Sequence, residues 1–267
     1  MFALIMIMFS FFGSVQSNVD GKIHYQIKPI PLRDRTKIEI TADLKVKENK
    51  PITITLPTDY FGTPNLYRFV ESFRGEAGTT VIDAESEDMR ILKPNKESRI
   101  RVRYVLSYDP ELFKYNTYSP NTSPHHFHLA GCQWALQFGD FKEKQHLEIE
   151  FKGVPENWQT YSSISSNPSK FETIASYSDL VSTAIGAAPR TSKREYTYKE
   201  SKFAVIIPAE FDIPKDEIFD AAEKIVTIQR KHFNDDSQKF YNVVVLPRAE
   251  NVAGVRFENM FITFLKK

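Results

Sequence analysis

The chain has 267 residues, of which 41% are hydrophobic and 26% charged, a globular composition with enough apolar material for one large core or two modest ones. Its 35 Lys and Arg stand against 34 Asp and Glu, a net charge of +1 that offers no field for gathering nucleic acid or acidic lipid. A single cysteine, Cys132, excludes an intramolecular disulfide and finger-type zinc sites, so stability must come from packing.

Residues 1–17 open with a nearly unbroken run of Leu, Ile, Met, Phe and Ala, followed by Ser14, Val15, Gln16 and Ser17. The apolar run is shorter than the roughly 20 residues a membrane span needs, and Val15 and Ser17 suit the small-residue rule for cleavage. The stretch reads as a signal peptide, although no Lys or Arg precedes it. The mature chain is therefore expected to be periplasmic or secreted, to begin near Asn18, and to have no membrane span once the signal is removed.

Residues 18–160 alternate with period two, in runs such as Ile23, Tyr25, Ile27, then Ile38, Ile40, Ala42, Leu44, Val46, then Ile52, Ile54, Leu56. Many short alternating strands separated by turn residues predict a β-sandwich. Its core is expected to hold Tyr25, Ile27, Ile40, Leu44, Ile54, Val102, Tyr104, Trp134, Ile149 and Phe151. Arg99, Arg101 and Arg103 alternate with Ile100 and Val102, the pattern of a solvated outer face. Asp83, Glu85, Glu87 and Asp88 lack the glycine-centred spacing of a calcium loop and read as a solvated turn. His125, His126 and His128 form the one histidine cluster, with His126 and His128 on one strand face at a spacing that can hold a metal ion. No acidic third ligand is near in sequence, so the competing reading is a solvated loop entering the strand that carries Trp134. Cys132 falls among apolar residues, where a cysteine usually packs inertly rather than acting as a nucleophile.

Residues 161–176 include the polar run SSISSNPS and read as a connection. Residues 177–267 change pattern. An apolar run at 203–207, a helix opened by Pro214 and continuing to about Phe233, and apolar runs at 240–246 and 257–265 predict strand, helix, strand, strand. The helix would bury Ile218, Ala222 and Ile225 together with Phe219 and Val226. Such a sheet leaves one face bare unless the sandwich covers it.

Tyr177 and Leu180, with Gly186 just beyond, match the Tyr-Asp-x-Leu-x-Asp-Ser-Pro junction and following glycine of a known family, whereas Ser178, Ser182 and Ala184 do not. Farther on, Gly254 and Asn259 match its Gly-Gly-Leu-Glu-His-x-Asn-Ser edge strand. On these residues the chain resembles the glycyl aminopeptidases of peptidase family M sixty-one, exported zinc enzymes of the thermolysin-like group. The resemblance implies a mainly β architecture, an N-terminal β-sandwich followed by a short α+β segment like the start of a thermolysin-like peptidase domain.

The resemblance also implies a peptide-binding strand at Gly254, Arg256, Glu258 and Asn259, running as one edge from Val255 to Phe264. Arg256 stands where the family places the glutamate that holds the substrate amine, and a guanidinium repels an ammonium group. Glu258 lies two positions on, about 6.6 Å along a regular strand. The remnant site is thus expected to turn toward carboxylates, unless the strand is simply an edge blunted by charge. The family's HExxH helix, with two zinc-binding His and a general-base Glu, has no counterpart in the sequence.

No catalytic residue is assigned, and zinc is expected only if a missing C-terminal half is supplied. The functional expectation is an exported glycyl-aminopeptidase-like protein, non-catalytic as this chain, that retains a peptide site. Two alternatives stand beside it: the N-terminal fragment of an active zinc aminopeptidase, and a secreted adhesion or scaffold β-sandwich. Peptides are the expected partners, nucleic acid is not, and the oligomeric state is left open.

Overall fold

The computed structural model describes residues 19–107, 118–139, 142–209, 211–234, 237–248 and 253–266. The expected signal peptide lies outside them. The fold is mainly β. A six-stranded sheet runs in the order Lys170–Ala175, Gln145–Phe151, Val19–Pro31, Thr36–Val46, Arg99–Leu106, Val70–Glu76. Its neighbours are antiparallel except for Val19–Pro31 against Gln145–Phe151.

Two four-stranded sheets supply the other side of the sandwich. One orders Gln137–Phe138, Ile52–Thr55, Met89–Lys93 and Thr80–Asp83, and the other Trp158–Ser162, Ala184–Pro189, His126–Ala130 and Asn121–Ser123. One apolar cluster joins all three sheets, with Ile27 and Ile40 from the first, Ile54 from the second and Phe127 and Ile185 from the third. All ten expected core residues are buried, none more than 9% exposed. Trp134 reaches this core differently from the expectation. It ends the short helical turn Gly131–Trp134 rather than lying on a strand, and Tyr25 meets its ring edge-on at 5.2 Å.

Residues 161–176, expected as a connection, hold the end of Trp158–Ser162 and the whole of Lys170–Ala175, the outermost strand of the six-stranded sheet. The polar run between them hides the alternation of Phe171 and Ala175, both buried. Residues 177–189 also belong to the sandwich, because Ala184–Pro189 pairs on one side with Trp158–Ser162 and on the other with His126–Ala130.

The C-terminal sheet has five strands in the order Lys193–Tyr198, Ser201–Ile206, Phe240–Arg248, Met260–Lys266, Ala253–Phe257. Ser201–Ile206, Phe240–Arg248 and Met260–Lys266 are parallel, with the helix Lys215–Phe233 as the first crossover. Alternation sends Phe203, Val205, Val243 and Val245 toward that helix and Ile206, Val244 and Leu246 the other way. The second face is not bare. It packs with Phe257, Met260, Ile262 and Phe264 against Ala184, Ala188 and Tyr161 of the sandwich.

Pro214 precedes the helix as expected, its fixed φ suiting the entry. Phe219 and Val226 are buried and Ile218 and Ala222 pack beside them as expected, but Ile225 is 55% exposed and Arg230 is buried in the same stripe. Arg230 can be buried because its guanidinium donates to Ser201 Oγ at 2.9 Å and to the Gln238 carbonyl at 3.3 Å.

Candidate functional site

The strand Ala253–Phe257 closes the five-stranded sheet, and among the described residues no strand pairs with its outer side. The expected single strand from Val255 to Phe264 is a hairpin instead, closed by the Phe257 and Met260 pair, with Glu258 and Asn259 as its two-residue turn. In such a hairpin the closing pair exchanges both backbone bonds. Arg256 and Gly254, on the alternate phase, therefore present their amides and carbonyls to the open side.

The turn is tied down from three directions. Asn259 Nδ2 donates to the Ser163 carbonyl at 3.1 Å, Gln238 Nε2 donates to the Glu258 carbonyl at 2.8 Å, and the Asn242 amide donates to the Asn259 carbonyl at 2.9 Å. Asn242 Nδ2 adds a bond to the Ser162 carbonyl at 3.0 Å. Asn259 thus binds the hairpin to the sandwich. Gly254 pairs with Thr263 across the hairpin, and a Cβ there would lie 2.7 Å from the ring of Phe261 on the same strand as Thr263, so the ring would have to move to admit one.

Between this edge and the sandwich lies a cleft of about 600 Å³, walled by Arg256, Phe257 and Glu258 on one side and by Ser163, Ile164, Ser178, Asp179, Ser182 and Thr183 on the other. The second wall is built by the junction segment. Ser176 caps the helix Tyr177–Val181: the Asp179 amide donates to Ser176 Oγ at 3.2 Å and the Ser176 amide donates to Asp179 Oδ2 at 2.9 Å. The Ser176 amide, with the Ser176 hydroxyl beside it, holds the Asp179 carboxyl below its ordinary range.

Leu180 is buried, and burial pushes the Tyr177 phenol up to about 12. Gly131 meets the same helix so closely that a Cβ would fall 1.8 Å from the Leu180 carbonyl oxygen. Gly186 lies under Tyr161, where a Cβ would be 2.4 Å from the ring. The three junction residues that resemble the peptidase motif are therefore held by packing. Of the three only Leu180 also lines the cleft, beside its neighbours Ser178, Asp179, Ser182 and Thr183.

The histidine cluster is not a solvated loop. His126 and His128 are buried on the strand His126–Ala130, while His125 is exposed. Both ring nitrogens of His126 are engaged, Nδ1 with Ser123 Oγ at 2.8 Å and Nε2 with Asn121 Oδ1 at 2.7 Å. His128 stacks on Tyr161, and burial together with the nearby His126 lowers its pKa to about 3.

Among the described residues no three His, Cys, Asp or Glu side chains converge as a metal site. The two buried histidines of the cluster serve the sheet, His126 through both ring nitrogens and His128 through its stacking on Tyr161. Burial raises the Cys132 thiol far above its ordinary value, the opposite of an activated nucleophile. Arg99, Arg101 and Arg103 are interleaved with acids: Arg99 with Asp43 at 2.6 Å, Arg101 with Glu76 at 3.5 Å and Arg103 with Glu39 at 3.1 Å. In the acidic turn Asp83 pairs with Arg90 at 3.2 Å, and Glu87 accepts from the Tyr67 hydroxyl at 2.9 Å.

Neither a family model nor a curated protein matches the sequence. Solved structures do match. The aminopeptidase N family protein from Idiomarina loihiensis superposes with a TM-score of 0.65 at 13% identity, covering 91% of this chain and 42% of that one. The M1 zinc metallopeptidase from Deinococcus radiodurans aligns with a TM-score of 0.46 at 12% identity, covering 92% of this chain and 60% of that one.

At such identity the first likeness establishes the fold: the chain has the mainly β, sandwich-like architecture found in part of an aminopeptidase N family protein. It spans less than half the length of that protein. That structure bears the name aminopeptidase N, and the glycyl aminopeptidase resemblance rests on the motif residues alone.

Proposed function

We propose that this chain is an exported peptide-binding protein of the aminopeptidase type that holds peptides without cleaving them by itself. The observation that carries the proposal is the open edge Ala253–Phe257 facing a cleft of about 600 Å³. An extended peptide adds to such an edge through its backbone and takes its specificity from alternate side chains. The turn sets Glu258 in the cleft wall beside Arg256, so one cleft offers both charges. A free peptide amine pairs with Glu258, and an acidic side chain farther along pairs with Arg256.

The motif at Tyr177, Leu180 and Gly186 supports a glycyl-aminopeptidase lineage. Hydrolysis of that kind needs the HExxH zinc site, which the sequence lacks.

Calorimetric titration of free and N-acetylated peptides tests the binding mode. Acetylation is expected to weaken binding about tenfold, as loss of a charge-assisted bond does, and Glu258→Gln to erase that difference. Arg256→Glu is expected to reverse any preference for acidic residues. Equal binding of free and acetylated peptides to the unaltered chain sinks the amine assignment. Chelator-sensitive turnover of a glycyl or alanyl anilide by the zinc-supplied chain sinks the non-catalytic reading. N-terminal sequencing of exported material checks the leader, with Asn18 the expected first residue.

The 42% coverage of the Idiomarina protein supports a second reading, in which this chain is the N-terminal part of a working zinc aminopeptidase. An HExxH coding stretch downstream in the DNA, and activity on supplying its product, would decide for it.

A further inference from the structure

Phe61 stands at the tip of a two-residue hairpin turn with 80% of its surface exposed. Paired backbone bonds between Tyr60 and Thr63, at 3.0 and 2.9 Å, close the turn. Phe61 has φ 44° and Gly62 φ 78°. Two positive φ angles define a type I′ turn, whose favoured first central residue is Asn, Asp or Gly. A bulky aromatic there is strained and also shows a large apolar ring to water. Strain of this sort collects where a site needs it.

The ring is not isolated. Phe61 stacks on Tyr118 with centroids 5.9 Å apart and planes 24° apart, and Tyr60 meets the two edge-on at 4.8 and 4.9 Å. The three make a platform anchored to its surroundings. The Asn65 amide donates to Asp59 Oδ1 at 2.8 Å behind the turn, and Gln133 Nε2 donates to the Tyr118 carbonyl. The Tyr60 hydroxyl lies 3.2 Å from Ser182 Oγ, and Ser182 is part of the cleft wall. Tyr60 therefore joins the platform to the cleft wall.

We propose that Tyr60, Phe61 and Tyr118 form a specificity subsite of the cleft that takes an aromatic side chain of the bound peptide. This rests on the reading of the cleft as a peptide site. Stacked and edge-on rings attract a further ring by offset stacking, which suits Phe, Tyr or Trp better than an aliphatic residue.

The test uses the full chain and a labelled pentapeptide, with Phe scanned against Ala at each position and binding read by fluorescence polarisation. Each peptide is also made with N-methylated alternate amides, which blocks strand addition. Phe61→Asn serves as the variant, because Asn-Gly is the preferred pair for this turn and the fold is retained. The Phe peptide is expected to bind the unaltered chain about tenfold tighter than the Ala peptide, the scale of one ring pair. Phe61→Asn should remove that advantage, and N-methylation should weaken both peptides.

If Phe and Ala peptides bind alike, or the preference survives Phe61→Asn, the subsite is overturned while an N-methylation effect still supports the edge. If the preference vanishes in Phe61→Asn but N-methylation has no effect, the subsite stands and the edge reading falls. If no peptide binds, both fall.

Discussion

Two glycines that look alike in the sequence carry different obligations. A methyl at Gly186 would meet the Tyr161 ring at 2.4 Å and the Phe127 carbonyl at 2.5 Å, and both neighbours are buried. Gly186→Ala is expected to cost about 1–3 kcal/mol, the usual penalty of overpacking, measurable by urea denaturation. A methyl at Gly254 meets the Phe261 ring at 2.7 Å, but Phe261 is 38% exposed and can swing outward. Gly254→Ala should cost less than half as much. Phe61→Asn is expected to raise stability by about 0.5–1 kcal/mol, because it relieves positive-φ strain, while removing the aromatic platform. A rise in melting temperature with a fall in affinity for Phe peptides would show both effects in one variant.

Caps and side-chain ties decide how the elements meet. Ser176 starts the cleft-lining helix with reciprocal bonds to Asp179, so Ser176→Ala should cost about 1 kcal/mol and weaken peptide binding by loosening one wall. Asn259 holds the hairpin turn to the Ser163 carbonyl. Asn259→Ala is expected to cost roughly 1–2 kcal/mol, the loss of a bond from a partly buried group. Amide exchange in Ala253–Phe257 should then speed up more than exchange in Phe240–Arg248. The helix Lys215–Phe233 shows how tertiary partners admit a charge to a buried stripe: Arg230 is paired with Ser201 and Gln238, while Ile225 faces outward.

The sandwich and the C-terminal sheet share an apolar cluster in which Val244 and Ile262 pack with Ala184 and Ala188. Heat should therefore unfold the described body in one calorimetric transition, and two resolved transitions would mean that the shared face is weak.

Acid acts on this body through two kinds of group. His128 has a folded pKa of about 3 against an ordinary 6.5, so the unfolded chain binds more protons and stability falls as pH drops below 6.5. Glu148, held to about 2 by Lys170 and Lys22, adds a second loss as pH falls from 4.5 toward 2. Urea midpoints at pH 7, 5 and 3 should decline in both steps, and His128→Gln should flatten the first.

Alternation and helical spacing were enough to read the β-sandwich core, Tyr25 through Phe151, and the helix after Pro214, because burying one face imposes its period on the sequence. Local signals failed where partners come from afar. Trp134 looks like a strand residue until Gly131 is seen against Leu180, and Lys170–Ala175 is hidden by the polar run before it. His126 and His128 read as an open cluster although Asn121, Ser123 and Tyr161 occupy their surroundings.

The candidate site shows the same division. The sequence determined that Gly254, Arg256, Glu258 and Asn259 stand together without an HExxH helix. Tertiary structure alone decided that Glu258 and Asn259 form a turn, that Ala253–Phe257 is the open edge, and that the junction helix faces it across a cleft. A cleft is made by elements far apart in the chain, and local periodicity records only which face of each is buried, not what lies opposite.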